Sequence, residues 1–334
     1  MPMRNVILNQ AEQITHSLAI NKDVRVEGKF DQIVLAGMGG SGHPGDLINS
    51  LRLTKAPLTV HRNYGLPKIY GKKPLIIPSS YSGNTEEALS AYQEAQNEGY
   101  TLMVNTAGGT LAEWCQRDGT PLVKIDFPGM QPRHTLLASF TGLAAALQNS
   151  GLAEDITADL TRVADVLEKD LPGLEEPSQE LAQKIAGTVP IITASQTLAF
   201  AAQNFKIQIN ENSKTPAFWN TFPELNHNEM VGFSQIAKVL PNDKFHVLII
   251  RDNDDHPRVK ARMDVTAELY AQWGLAVSNH TVTGQTLFEK IAHAVGLGMW
   301  TSYYLALAYK VDPMPVAGVE NFKARLKEVA GEIR

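Results

Sequence analysis

Three hydroxyl side chains, Ser80, Ser82 and Thr85, fall within six residues in the stretch Ser80-Tyr81-Ser82-Gly83-Asn84-Thr85-Glu86-Glu87. The apolar run Leu75–Ser79 precedes them and a helical pattern over about 85–98 follows. The hydroxyls therefore sit where the free N–H groups of a helix start also converge. That combination suits a phosphate monoester, which offers several acceptor oxygens and a double charge. A capping box, with Asn84 as cap and Glu87 three residues on, is the purely structural alternative. A cap needs one polar side chain, and this loop has an excess.

A second loop of related type follows the run Gln32–Ala36. It reads Gly37-Met38-Gly39-Gly40-Ser41-Gly42. Glycines let the chain turn tightly and bring bare N–H groups to an anion. Gly37, Gly39 and Gly42 also fit the dinucleotide pattern GxGxxG. That reading needs a carboxylate after the second strand to hold a ribose hydroxyl. Leu58-Thr59-Val60 is instead followed by His61-Arg62-Asn63, where only Arg62 could meet a 2′-phosphate. Two such loops on adjacent parallel strands face each other at the carboxyl edge of the sheet, and a dinucleotide would not need the second. The pair favours a small phosphorylated ligand.

Groups suited to proton transfer crowd a third segment. Glu211, Glu224, His227 and Glu229 fall within 19 residues of the polar stretch 206–233, which reads as a loop after a helix. On composition alone these are solvated side chains of an interface loop. The corresponding loop at 251–256, Arg-Asp-Asn-Asp-Asp-His, has no serine or threonine and would repel phosphate.

The elements that must position these residues alternate in a regular way. Strands are expected at Gln32–Ala36, Leu75–Ser79, Thr101–Asn105 and Leu122–Ile125, with helices at about 42–53, 85–98, 109–118 and 134–148. A second series follows. Strands are expected at Val189–Ala194, His246–Arg251 and Ala276–Val282, with helices at about 196–209, 257–273 and 285–309, and a last short helix at about 318–330. Strand, turn, helix in repetition predicts parallel sheets covered by helices, in two related α/β domains. Residues 150–185 hold nine acidic and three basic residues, broken by Pro172-Gly173, and read as two solvated helices joining the halves.

The bulk properties agree with such an organisation. The chain has 334 residues, 43% hydrophobic and 19% charged, with a formal net charge of −5. Nucleic acid as main partner would call for a basic excess. The single cysteine, Cys115, excludes a disulfide within the chain and fits a reducing compartment. The N-terminal stretch lacks the apolar core of a signal peptide, and no run of about 18 apolar residues is present to span a membrane. A cytoplasmic protein is expected. The nine histidines are scattered, with no H-E-x-x-H or Cys/His cluster, so no metal is expected.

The Gly-Gly-Ser-Gly turn with Ser-Tyr-Ser-Gly-Asn-Thr-Glu-Glu resembles the sugar isomerase (SIS) domain, which binds phosphosugars. Asn-Glu-Asn-Ser-Lys-x-Pro-Ala-Phe at 210–218 and Pro-Glu-Leu-Asn-His-Asn-Glu at 223–229 are similar to the bifunctional phosphoglucose/phosphomannose isomerase branch of that superfamily. Gln131-Pro132-Arg133, Asp312-Pro313 and Phe322-Lys323-Ala324-Arg325-Leu326 match as well, so the resemblance runs from about residue 33 to 326. It implies two SIS-type domains of flavodoxin-like, doubly wound form, residues 1–150 with the phosphosugar loops and 151–334 with the acid–base residues.

The resemblance also implies a reaction. Glucose 6-phosphate and mannose 6-phosphate would each interconvert with fructose 6-phosphate through a shared cis-enediolate, a 1,2-proton shift that requires neither a metal nor a redox cofactor. Gly40, Ser41, Ser80, Ser82 and Thr85 would hold the phosphate. Glu211 would carry the proton between C2 and C1, and Arg133 would stabilise the developing negative charge. His227 and Lys323 would assist ring opening, with Lys327 as a competing register for the lysine. Relatives carry a polar residue seven places before that lysine, where this chain has Val316. His227 would come from the neighbouring subunit, so a homodimer is implied. The alternatives are a non-catalytic phosphosugar-binding SIS protein, another sugar-phosphate isomerase, or a dinucleotide enzyme using the 37–42 loop.

Overall fold

The computed structural model describes residues 2–234, 236 and 239–330. They form two compact units, one of residues 9–165 and one of residues 2–8 with 166–330. Residues 151–165 thus belong to the first unit, and the short helix Met3–Leu8 belongs to the second.

The first unit is built on strands β1 (Gln32–Ala36), β2 (Leu58–His61), β3 (Pro74–Ser80), β4 (Thr101–Leu102), β5 (Val104–Thr106) and β6 (Leu122–Lys124). Every pairing is parallel, in the order β2-β1-β3-β5-β6, with β4 also on β3. The expected strand Thr101–Asn105 is interrupted at Met103. With β4 and β5 counted as one interrupted strand, the order is 2-1-3-4-5, the flavodoxin-like arrangement. All five residues of β1 and all seven of β3 are buried, as helix-covered parallel strands require. Both therefore carry an apolar stretch, Ile33–Ala36 and Leu75–Pro78, that does not alternate with polar residues.

The helix Gln10–Ile20, not anticipated from the sequence, packs against the helix Leu136–Asn149. Gln13 joins the two ends of this contact. Its Nε2 donates to the His134 carbonyl (2.6 Å) and its Oε1 accepts from the Ala138 N–H (3.2 Å). This fixes the turn Pro132–His134, on which Arg133 stands.

Cys115 is buried in the same unit, beside Leu111 and Tyr92. Burial pushes its thiol up to about 11, with a smaller contribution from Asp118. The reactive thiolate is thus a minor species at pH 8. The native protein is expected to resist a thiol-specific reagent at that pH and to release its one thiol only in denaturant. Rapid labelling of the native protein would contradict the burial.

The second unit repeats the plan with four parallel strands, β7 (Val189–Ser195), β8 (Phe218–Phe222), β9 (Phe245–Arg251) and β10 (Ala276–Thr281), ordered β10-β9-β7-β8. This is the same winding without the outermost strand. β8 corrects the expectation of a loop over 206–233. The segment contains the end of the helix Ala199–Asn212, then β8, a 3-10 turn Glu224–His227 and a short helix Glu229–Gly232. Phe218-Trp219-Asn220-Thr221-Phe222 is rich in aromatic and β-branched residues, which suit a pleated edge. Its burial runs from exposed to buried and does not alternate, so the pattern is hard to see in sequence.

The acidic segment also departs from expectation. It forms the helices Thr157–Asp170 and Glu175–Ile185, with the turn Leu171–Leu174 at the proline-glycine break. Both are amphipathic and not simply solvated. Leu160, Val163 and Leu167 are buried in one, and Leu181, Ala182 and Ile185 in the other. Glu175 accepts two bonds from Arg4 (3.0 and 2.8 Å) and one from the Tyr304 hydroxyl (2.7 Å).

Candidate active site

The glycine and hydroxyl loops leave the carboxyl ends of β1 and β3, adjacent strands at the point where the winding reverses. They are stapled together. The Ser79 hydroxyl donates to the Ser41 carbonyl (2.7 Å), and the Ser41 hydroxyl accepts from the Tyr81 N–H (3.0 Å). Asn105 Nδ2 holds Ser79 Oγ (2.9 Å) and Ser139 Oγ (2.6 Å). Ser79 and Asn105 were not legible as site residues. They are buried polar groups at strand ends, and only the fold shows what they join.

Within the hydroxyl loop, Ser80 Oγ lies 2.8 Å from Thr85 Oγ1 and 3.4 Å from Ser82 Oγ, and accepts from the Gly83 N–H (3.0 Å). The three expected phosphate-binding hydroxyls are therefore one cluster. Thr85 is the N-cap of the helix Glu86–Asn97 but makes no side-chain capping bond. The alternative of a capping box at Asn84 is not what forms, since the N-cap is Thr85. Asn84 Oδ1 accepts instead from the N–H (3.0 Å) and hydroxyl (2.9 Å) of Thr110. The start of that helix carries no side-chain cap bond, and Thr85 at its N-cap belongs to the hydroxyl cluster, an arrangement that favours an anion.

Arg133 is only 4% exposed. Its turn touches the glycine loop directly, for a Cβ on Gly40 would lie 2.8 Å from both Arg133 N and Pro132 C. The structure thus brings Gly40, Ser41 and the Arg133 main chain together. Arg62, the cation a 2′-phosphate would need, is ion-paired with Asp46. Burial raises the Asp46 carboxyl more than this pairing lowers it. Nearby, the Tyr64 hydroxyl donates to Glu86 (2.9 Å), a bond that pushes the phenol up to about 12.

The other expected residues lie in the second unit. Glu211 is half-buried, one residue before the end of the helix Ala199–Asn212. Its neighbours pin that end. Buried Asn212 donates to Gln208 (2.7 Å) and to Ser302 Oγ (2.9 Å), and Ser213 Oγ donates to the Ser302 carbonyl (2.9 Å). Ser302 stands on the helix Leu287–Ala308. The Asn-Glu-Asn-Ser word is thereby explained in physical terms. Asn212 and Ser213, which follow Glu211, bury their amide and hydroxyl against Ser302, whereas Glu211 itself is half-buried. His227 is exposed at the end of its 3-10 turn. Lys323 is exposed on the helix Ala317–Ala330 and bonded to Glu320 (3.1 Å).

The second unit has its own loop at the equivalent switch point, after β9, and a lysine offsets part of its acidity. Lys290 Nζ donates to Asp252 (2.7 Å) and also to Asp254, while burial raises the Asp255 carboxyl. A cleft of about 450 Å³ beside β8 is lined by Lys206, Trp219, Glu229 and Phe233 among others; of the four acid–base candidates of that segment it holds Glu229, and neither Glu211 nor His227 lines it. Among the described residues there is no group of three or more His, Cys, Asp or Glu able to hold a metal ion, and no helix is long and apolar enough to cross a membrane.

Comparison with known proteins identifies the family. The family described as the bacterial phospho-glucose isomerase C-terminal SIS domain matches residues 174–326. A bifunctional phosphoglucose/phosphomannose isomerase of Caldicellulosiruptor bescii is 35% identical over 97% of this chain and 98% of its own. The chain belongs to the bifunctional phosphoglucose/phosphomannose isomerase family.

A D-glucosamine-6-phosphate 4-epimerase of Sulfolobus acidocaldarius is 35% identical over 68% of this chain and 74% of its own. Among solved structures, hypothetical protein TT0462 of Thermus thermophilus has the same fold, with a TM-score of 0.74 at 17% identity, over 96% of this chain and 89% of that one. For this family member, then, two parallel SIS-type sheets are the fold. The hydroxyl cluster and the Arg133 turn share one unit. Glu211, His227 and Lys323 stand on three separate elements of the other.

Proposed function

We propose that the protein is an aldose–ketose isomerase that interconverts glucose 6-phosphate and mannose 6-phosphate with fructose 6-phosphate. The observation that carries this reading is the Ser80–Ser82–Thr85 hydroxyl cluster at a helix start, stapled to a glycine turn that abuts Arg133, in a chain of this family. Gly40, Ser41 and the cluster hold the phosphate. Glu211 takes the C2 proton and returns it to C1. The cis-enediolate between them is planar at C2, so both aldose phosphates pass through it. Arg133 offsets the negative charge that develops on the oxygens. His227 and Lys323 exchange protons with the ring oxygen and anomeric hydroxyl to open the ring.

His227 acts in the site of a second copy in a homodimer. Its exposure supports this, as does the company it keeps: Phe218, Val231, Val239 and Leu240 are all exposed apolar residues in the same stretch of chain. Solvent-facing apolar groups at this density suit a protein surface that is covered in use.

The test supplies fructose 6-phosphate with a chelator present and measures both glucose 6-phosphate and mannose 6-phosphate. Formation of both is expected. Turnover to neither would remove the proposal, and strict dependence on metal would remove the metal-free form of it. The resemblance to a glucosamine-phosphate epimerase favours a second reading, in which an amino-sugar phosphate is the substrate. Epimerisation of glucosamine 6-phosphate, with fructose 6-phosphate left untouched, would select it.

A further inference from the structure

The helix that carries Glu211 ends in an unusual way. Ser213 is its C-cap, and the next residue, Lys214, has a φ of +56°. A left-handed residue just past a helix is ordinary, but the residue there is usually glycine, because a side chain strains the backbone. Here it is a lysine, and its ammonium makes two bonds. One goes to the carbonyl oxygen of Glu211 itself. The other is part-buried and goes to the carbonyl of Pro313 (3.3 Å), 99 residues further on.

The first bond closes the last turn of the helix, where the backbone carbonyls lack partners and a cation is favoured. The second fastens that turn to the segment leading into the helix Ala317–Ala330, which carries Lys323. One side chain therefore links the main chain of Glu211 to the approach of Lys323. Asn212 and Ser213 already fix the helix end to Ser302. Lys214 adds the connection in the other direction, at the expense of a strained backbone.

We infer that Lys214 is a positioning residue for isomerisation. Its ammonium holds the Glu211 main chain against Pro313, which sets the reach of the carboxylate to the C2 proton. This rests on the reading of Glu211 as the base. Proton transfer depends steeply on such placement, and a misplacement of about 1 Å costs roughly 10²-fold.

Three variants test it: K214G, K214M and K214R. Glycine removes the ammonium and relieves the backbone at once, so a loss of activity in K214G cannot come from strain. In K214G and K214M, kcat for glucose 6-phosphate is expected to fall roughly 10- to 100-fold, with KM within about threefold of the wild type. The thermal midpoint of K214G is expected to be unchanged or higher. The primary isotope effect on kcat, measured with deuterium at C2 of glucose 6-phosphate, is expected to rise, because abstraction by a misplaced base becomes the slow step. K214R keeps a donor cation and is expected to restore most of kcat.

Wild-type kcat in K214G would overturn the inference. So would a fall in kcat with the isotope effect unchanged, which would mean fewer intact sites and not a displaced base. Failure of K214R to recover activity would overturn it too. Wild-type turnover is measured first. Its absence would remove the proposed function, whereas an active wild type beside an indifferent K214G removes only the role of Lys214.

Discussion

Replacing Glu211 by glutamine is expected to lower kcat for hexose-phosphate isomerisation by roughly 10²- to 10⁴-fold and to leave phosphosugar binding nearly unchanged. Glutamine has the size and reach of glutamate but cannot accept the C2 proton as a base. The side chain is half-buried on the last full turn of its helix, and that turn is held by its neighbours: Asn212 and Ser213 bond to Ser302 whether or not residue 211 is charged. The variant should therefore fold, and its thermal midpoint should stay close to that of the wild type. The proposed phosphate site is built from a different part of the chain, so affinity for fructose 6-phosphate, read by titration calorimetry, should persist. Loss of binding together with activity would show Glu211 to be structural. Retained activity would move the base elsewhere, with Glu224 and Glu229 the nearest carboxylates in sequence.

The parts of this fold that could be read from sequence are those whose burial is uniform. β1, β3 and β9 are buried along their length and show as the apolar stretches Ile33–Ala36, Leu75–Pro78 and Val247–Ile250. β8 is buried at one end only, so no period marks it. The loops flanked by clear strands stood out in the sequence because hydroxyls and glycines were dense there. Their supports did not. Ser79 continues a buried strand, and nothing in its neighbours distinguishes a serine that staples two loops from one that merely ends a strand. Arg133 gave no sign that it would be buried, since the turn on which it stands packs against Gly40 and is held by Gln13, residues about 90 and 120 places away in the chain. Asn84 fitted a capping box by spacing, yet its amide oxygen serves Thr110, a partner that only the parallel winding brings near. Spacing finds contacts made within a turn or two. Contacts made by the sheet order have no local record.

The contact between Gly40 and the Arg133 turn yields the second large effect. A G40A variant is expected to lose roughly 10²-fold in kcat/KM for the sugar phosphates, through both a raised KM and a lowered kcat. The added Cβ would lie 2.8 Å from Arg133 N, 2.8 Å from Pro132 C and 3.0 Å from Pro132 Cβ. Relaxed contact needs about 3.5 Å, so the two turns must part by roughly 0.7 Å. Neither side can give way freely. Gln13 grips the turn of Arg133 from below, through the His134 carbonyl and the Ala138 N–H. Ser79 and Tyr81 grip Ser41 from the other side. The displacement must then pass to Arg133, to Ser41, or to both. If Ser41 moves, the phosphate loses a ligand and KM rises. If Arg133 moves, the charge developing in the transition state loses its counterion and kcat falls. Gly173 provides the control, because a Cβ there meets nothing within 4 Å and its backbone is not left-handed. G173A should match the wild type in kcat/KM, and far-UV circular dichroism should show both variants folded. If a folded G40A also retained wild-type kcat/KM, neither Ser41 nor Arg133 could be held in place by this contact, and the assignment of both residues to the site would fall with it.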